Sequence, residues 1–415
     1  MEPDWSNLPK DILETVSRKI ASVSDYLRCR AVCIPWRSAL SPSPRHLPIQ
    51  PPWLLLPYNP NVKQGNDDDS NRFFYDFSTS RIRRINLPET CGKQFCGSSQ
   101  GWLALESGPQ ISLLNPITRV EMQLPSLEMP PAIWGVLGVE SEERMSSLQS
   151  QLDIWSSRLQ RGLTDPIIQR FILTSKPTDP DCVVMALFKT NWGLAFCRIG
   201  DESWTVFEAP ARDGIGNGLI DATYHNGLFY CFSFDEVKVY NLNNNTREVM
   251  KIIIPLEQAG YHLIEGEVEE LLLVAQHWAP HGLSKRDQFS IYKLVIGDDG
   301  PDWIETSGIG ERMCFICEGI EQCFTFPIDN FQMQVLGGNL LCYASPLIVE
   351  KNREDYWGWH PEDNFGYDIK MVKFPTVEVP YFSNYWRDHV IELVKNLGSY
   401  PTAYSRGLWI TPSFH

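Results

Sequence analysis

Residues 97–125 read GSSQGWLALESGPQISLLNPITRVEMQLP, and the alternation inside this stretch decides the fold. GWLALES, QISLLNP and RVEMQLP are short runs of apolar and β-forming residues. Each is bounded by residues that reverse a chain: Gly-Pro at 108–109, then Asn-Pro-Ile-Thr at 115–118. A strand sends alternate side chains to opposite faces, while Gly, Pro and Asn supply the backbone angles that turns require. The stretch therefore predicts three successive antiparallel strands, a meander.

The same order recurs on both sides of it. HNGLFYCFSF, VKVYNL and REVMKIIIP follow one another between residues 221 and 255, with Asn226-Gly227 as a strong hairpin turn and Asn243–Asn245 as the second reversal. Further copies read VVMALFKTNWGLAFCRI with SWTVFEAP, VEELLLVAQHW with FSIYKLVI and DWIETSGI, and LGGNLLCYAS with FGYDIKMVKF. The first is WLLLPYNP with RFFYDFST and RIRRINLP. Repeats of roughly 40–50 residues arranged radially are how an all-β chain limits its exposed edges. The expectation is a mainly β chain whose large domain, residues 46–415 with blades starting near Trp53, is a six-bladed β-propeller. Five or seven blades are the variants, and a β-sandwich is the competing architecture, for which about 360 residues is long.

Two segments depart from the strand pattern. Across residues 142–163, Met145, Leu148, Leu152, Trp155 and Leu159 have helical spacing, which predicts an amphipathic helix inserted between blades. Across 385–397, Trp386, Val390, Leu393, Val394 and Leu397 share a face and Gly398 follows as a stop. LWITPS then returns to strand and closes a blade.

Residues 5–40, WSNLPKDILETVSRKIASVSDYLRCRAVCIPWRSAL, read as three short helices. Leu8, Ile12, Val16 and Ile20 recur every four residues with Leu13 beside them, and Pro9 suits a helix start. Ser22 or Ser24 caps a second helix, and Pro35 resets the chain into a third. Helices this short bury too little apolar surface to stand alone, so their remaining apolar residues are expected to cover a partner or the next domain. The Pro-rich SPSPRHLPIQPP after Leu40 marks the boundary. The order Leu-Pro-x-Asp-Ile-Leu, then Val-Cys-x-x-Trp-Arg, resembles the F-box, the segment by which substrate receptors of ubiquitin ligases bind a Skp-type adaptor. The resemblance makes residues 1–45 the F-box and implies that Leu8, Pro9, Ile12, Leu13, Val32, Cys33, Trp36 and Arg37 lie in or just behind the adaptor-binding surface. Thr15 and Val16 replace a bulkier pair frequent in that family. CGSSQGWLALE, ISLLNPITR, LAFCRIGDESWTVFEAP and LWITPS extend the resemblance to the plant proteins in which an F-box precedes a kelch-like propeller of unassigned function.

Composition narrows the partners. A formal net charge of −15 over 415 residues disfavours nucleic acid and anionic membranes, which are bound through clustered Lys and Arg. Eleven scattered cysteines and a polar, acidic start point to a reducing interior, nucleus or cytoplasm, and no apolar run reaches membrane-spanning length. Motifs with chemical content fail on context. Gly97-Ser98-Ser99-Gln100-Gly101 fits the G-x-S-x-G string of serine hydrolases, but a strand follows where a helix is needed. Cys314, Cys317 and Cys323 lack the second close pair of a zinc site, and Pro280 interrupts His277 and His281. The Gly-rich 214–218 lacks the Lys-Ser/Thr of a phosphate loop, and Asn244 in Asn-Asn-Thr is a glycosylation string only for a secreted chain. No catalytic residue, metal or cofactor is expected.

The functional expectation is therefore a non-catalytic substrate receptor of a cullin-based ubiquitin ligase, with an enzyme built on the propeller and a scaffold without substrate as alternatives. Tyr356-Trp357-Gly358-Trp359-His360 is an aromatic cluster among charged residues in a long connection. Trp357 and Trp359 are the candidate target contacts, with packing on their own blade as the competing role.

Overall fold

The computed structural model describes residues 5–48, 50–56, 70–76, 81–127, 168–188, 194–208, 221–233, 236–242, 246–253, 259–265, 270–277, 288–298, 300–317, 322–327, 340–349, 364–373, 377–378 and 408–414. Three helices come first: α1 (Lys10–Ser17), α2 (Val23–Ala31) and α3 (Ile34–Ala39). The described strands then form six sheets. Sheet 1 holds β1 (Trp53–Leu55), β2 (Asn71–Asp76) and β3 (Arg81–Asn86); sheet 2 holds β4 (Gln94–Ser99), β5 (Trp102–Ser107), β6 (Gln110–Leu114) and β7 (Glu121–Gln123). Sheet 3 holds β8 (Ile168–Leu173), β9 (Val183–Phe188), β10 (Leu194–Arg198) and β11 (Thr205–Glu208). Sheet 4 holds β12 (Asp221–His225), β13 (Leu228–Phe232), β14 (Glu236–Asn241) and β15 (Thr246–Ile253). Sheet 5 holds β16 (Ala259–Glu265), β17 (Leu271–His277), β18 (Gln288–Gly297) and β19 (Gly300–Thr306). Sheet 6 holds β20 (Arg312–Cys317), β21 (Gln322–Pro327), β22 (Leu340–Val349), β23 (Asn364–Lys373) and β24 (Val377–Glu378) in the order β21-β20-β22-β23-β24. Its β20–β22 pair is parallel, whereas the other described pairs are antiparallel. The final strand, β25 (Leu408–Ile410), returns to sheet 1 and pairs with β1, Leu54 opposite Trp409. LWITPS thus completes a sheet begun at Trp53. The helices expected at 142–163 and 385–397 lie outside the described residues.

Each of sheets 2 to 5 packs against neighbours on both faces. On β8, Phe171 packs between sheets 2 and 3 with Trp102 and Trp204, while the next residue, Ile172, packs between sheets 3 and 4 with Met185 and Phe229. Consecutive residues enter different cores, which is why VVMALF in β9 is buried throughout instead of alternating with polar residues. Five such clusters separate the sheets from first to sixth. One edge strand of each sheet touches that of the next: β4 meets β8, β8 meets β12, β12 meets β16, and β16 meets β21, while β25 of sheet 1 touches both β4 and β20. One polar group ties three of them. The fully buried carboxylate of Asp221 on β12 accepts from its own strand at Ala222 and from the Leu263 amide on β16 at 3.3 Å, and it pairs with Arg170 of β8 at 3.3 Å. His262, beside Leu263, is buried with Nδ1 lacking a hydrogen-bond partner. Burial pushes Asp221 up to about 6, against the opposing pull of Arg170, and pushes His262 down to about 3 with Arg170 adding to the shift.

The three helices are not tethered loosely. Tyr26, Leu13, Val23 and Leu40 form their core, and Phe414, four residues past β25, completes it with its ring 5.7 Å from that of Tyr26 in an edge-on arrangement. Ile117, in the turn after β6, touches both this core and that between sheets 1 and 2. The Pro-rich stretch that reads as a linker is packed. Gln50 accepts from the Val23 amide at 2.9 Å and donates to the Ala21 carbonyl at 2.9 Å, His46 Nε2 meets the Ser17 carbonyl at 2.8 Å, and Pro44, Pro51 and Pro52 are buried. Asn115 donates to the Ser413 carbonyl and Ser43 to that of Phe414, which fixes the returning segment from both sides.

Three outcomes follow from these contacts. Gly101 and Gly227 occupy equivalent hairpin turns at φ +81° and +82°, but a Cβ on Gly101 would stand 2.7 Å from the Ser413 Cβ and 2.8 Å from the Thr411 carbonyl, whereas one on Gly227 meets nothing within 4 Å. Gly227→Ala should cost about 1 kcal/mol of backbone strain and Gly101→Ala clearly more, as read by urea unfolding. Phe414→Ala should remove about 3 kcal/mol from the docking of the helices, seen as faster amide exchange in α2 with the strands still protected. Between pH 4 and 6 the native state gains from protonating Asp221, while the unfolded state gains from protonating the histidine that folding keeps neutral, so the two oppose. Replacing His262 by Leu removes the second effect. The stability of that variant relative to wild type should rise as pH falls from 6.5 to 4, by at most about 1.4 kcal/mol per pH unit. Parallel curves would show that His262 is not held neutral.

Candidate functional site

Pro9 stands just before α1 with extended backbone angles, and its carbonyl accepts from the Leu13 amide at 3.1 Å, so the residue serves as the helix entry. Ser22, of the two serines considered, caps α2 by accepting from the Asp25 amide at 3.4 Å; Ser24 is buried instead. Pro35 lies in the first turn of α3. Trp36 Nε1 donates to the Trp5 carbonyl at 2.8 Å, tying the start of the segment onto α3.

The expected apolar stripe divides into two. Leu13 is 1% exposed and faces the Tyr26–Phe414 core, with Leu8 and Ile20 half-buried against it, whereas Ile12 and Val16 on α1 remain 46% and 45% exposed. Val32 and Ile34, around the junction of α2 and α3, are 59% and 80% exposed, and Trp5 also faces solvent. Of the ten large apolar residues that stand exposed among those described, five fall within residues 5–34. That concentration in one short helical segment makes it the candidate interaction surface, since scattered single residues are what an ordinary surface shows. Among the eight residues named from sequence, Pro9, Ile12, Val32 and Arg37 are exposed, Leu8, Cys33 and Trp36 are half-buried, and Leu13 lies wholly behind the surface. Sequence reading missed Tyr26, His46, Gln50 and Phe414, which hold the helices in place. A lone Phe near the chain's end carries no periodic signal.

A cavity of about 620 Å³ opens at the C-terminal ends of these touching edge strands, on the same side as the helices. Arg170, Thr223, Glu265 and Thr325 from the strands line it together with Val23 and Gln50 from the helical segment.

The motif strings take structural roles. Ser99 ends β4, Gln100 and Gly101 form a turn with positive φ, and β5 follows, so G-x-S-x-G lies in a hairpin whose Ser99 hydroxyl accepts from the Leu173 amide at 3.1 Å. Cys314 is buried in the core between sheets 5 and 6, and Cys314-x-x-Cys317 runs along β20. Among the described residues no group of His, Cys, Asp and Glu is placed to hold a metal ion, and no helix is long and apolar enough to cross a membrane. Trp357, Trp359, His281 and the Gly-rich 214–218 lie outside the described residues.

Comparison with known proteins agrees with this architecture. The family profile described as the KIB1-4 beta-propeller matches residues 74–368. The F-box protein At2g26160 of Arabidopsis thaliana is 23% identical over 348 residues, covering 80% of this chain and 92% of that protein. The F-box protein SKIP23 of the same plant is 23% identical over 402 residues, 90% and 91% of the two chains, and F-box protein KIB4 is 30% identical over 118 residues, 28% and 30%. The solved N-terminal domain of Nup159 overlaps 74% of this chain and 70% of its own at 8% identity with a TM-score of 0.31, too low to bear on the fold. With more than half its length inside that profile, the chain belongs to the KIB1-4 β-propeller family.

Proposed function

We propose that this chain is the substrate-recognition subunit of a cullin-based ubiquitin ligase of the SCF type, working in the nucleus or cytoplasm. Residues 1–45 act as an F-box that docks on a Skp-type adaptor, and residues 46–415 form a kelch-like propeller, its six sheets as six blades, that holds a protein target. The observation that carries this reading is the gathering of exposed apolar side chains, Ile12, Val16, Val32 and Ile34, on helices whose other face is already satisfied by Phe414. The relatives named as F-box proteins support it.

The contribution of such a subunit is proximity. Holding a target lysine near an activated ubiquitin raises its effective concentration, a role that requires no side chain here to act as acid, base or nucleophile. Topology supports a division of labour between the two ends. The helical segment lines the same cavity as the C-terminal ends of β8 and β16, at Leu173 and Glu265. The opposite end is where the long connections leave or arrive: β8 begins at Ile168, and β22 ends at Val349 before β23 begins at Asn364, remote from Arg312 at the cavity. Target contacts, with Trp357 and Trp359 the proposed anchors, belong at that end.

Co-purification with the adaptor tests the docking face. Ile12→Asp with Val32→Asp should abolish the association while leaving the melting temperature nearly unchanged, because both side chains already face water. Leu13→Ala should instead lower stability by about 2–5 kcal/mol. Retention of the adaptor by the doubly charged variant would contradict the assignment.

A further inference from the structure

The cavity at the C-terminal ends of the touching edge strands is more than a gap between packed elements. Its volume, about 620 Å³, lies within the range of about 300–1,000 Å³ typical of small-molecule sites. Its charge runs against that of the chain: Arg170, Lys176 and Arg312 line it with Glu265 as the single lining carboxylate, in a protein of net charge −15. The two guanidinium groups come from different sheets and each is held by a hydrogen-bonding partner. Arg170 is steadied by Asp221, itself anchored by two backbone amides. Arg312 donates through Nε and Nη2 to the Thr325 hydroxyl at 2.9 and 2.6 Å, and that hydroxyl donates in turn to the Glu265 carbonyl. A guanidinium fixed in this way loses little freedom on meeting an anion, and its planar fork matches carboxylate and phosphate oxygens. Thr223 and Gln169 add neutral hydrogen-bonding groups to the walls.

We propose that this cavity binds a small, multiply charged anion, phosphate- or carboxylate-bearing, between Arg170 and Arg312. Because Val23, Leu47 and Phe414 form part of the wall, the occupant also touches the helical segment, and binding stiffens its seat on the sheets.

The test is calorimetric titration of the full-length chain, once with pyrophosphate and once with citrate, the two probes separating phosphate from carboxylate recognition. Saturable one-site binding of either probe, weakened by added salt, is the expected result. Arg312→Gln should weaken it at least tenfold, with Arg312→Lys intermediate because it keeps the charge and loses the fork. Lys176 is exposed, so Lys176→Glu leaves the fold intact and should weaken binding severalfold even if the Arg312 variants do not fold. Amide exchange in α2 should slow when the probe is bound. Failure of both probes to saturate the folded wild-type chain, or affinities unchanged in Arg312→Gln and Lys176→Glu, would overturn the proposal.

Discussion

The pairing of Leu408–Ile410 with Trp53–Leu55 is the contact on which the arrangement depends. It joins segments more than 350 residues apart, a large loop-closure cost that only the summed burial of the intervening sheets offsets. Once β25 is seated beside β1, the residues after it run along the turn at Gly101. There, Thr411 and Ser413 approach so closely that a side chain on that glycine would collide with them. Phe414 is delivered onto Tyr26 as a direct consequence. The strand that completes sheet 1 therefore also seats the helices, and the two parts of the chain are joined through packed side chains rather than through a tether.

That coupling gives the functional reading its geometry. A receptor on a flexible linker samples many orientations and dilutes the proximity it provides, whereas one fixed body presents its target at a set distance from the adaptor. The apolar face of α1 and the α2–α3 junction is left outward because Leu13, Tyr26 and Phe414 satisfy the inward side. The cavity is lined from both the helical segment and the sheets, so the anion proposed for it would bear on that orientation.

Legibility in the sequence followed burial pattern strand by strand. GWLALES, QISLLNP and RVEMQLP emerge as β5, β6 and β7, and HNGLFYCFSF, VKVYNL and REVMKIIIP as β13, β14 and β15, because turn residues bracket them. The strands that escaped notice are mostly the first of their sheets: QFCGSS, IQRFIL, AGYHLIE and the start of DATYH. These carry Gly97, Arg170, Asp221 and His262, residues chosen for close approach and for polar contacts between sheets, which break the apolar run that marks a strand. Gly97 shows the reason, since a Cβ there would stand 2.9 Å from that of Phe171 on the neighbouring sheet. The helices were legible from spacing, yet the split between Leu13 inward and Ile12 outward depends on Phe414, which is just over 400 residues away. The cavity was hidden for the same cause: Arg170 and Arg312 come to line one cavity only through tertiary placement.

The central claim is that helices and sheets form one body. Electron–electron double resonance between spin labels on noncanonical residues placed at exposed Arg18 and exposed Glu202 measures it directly, without interference from the native cysteines. A single narrow distance distribution in the native chain, broadened by Phe414→Ala, is the expected result. A broad or multiply peaked distribution in the native chain would contradict it.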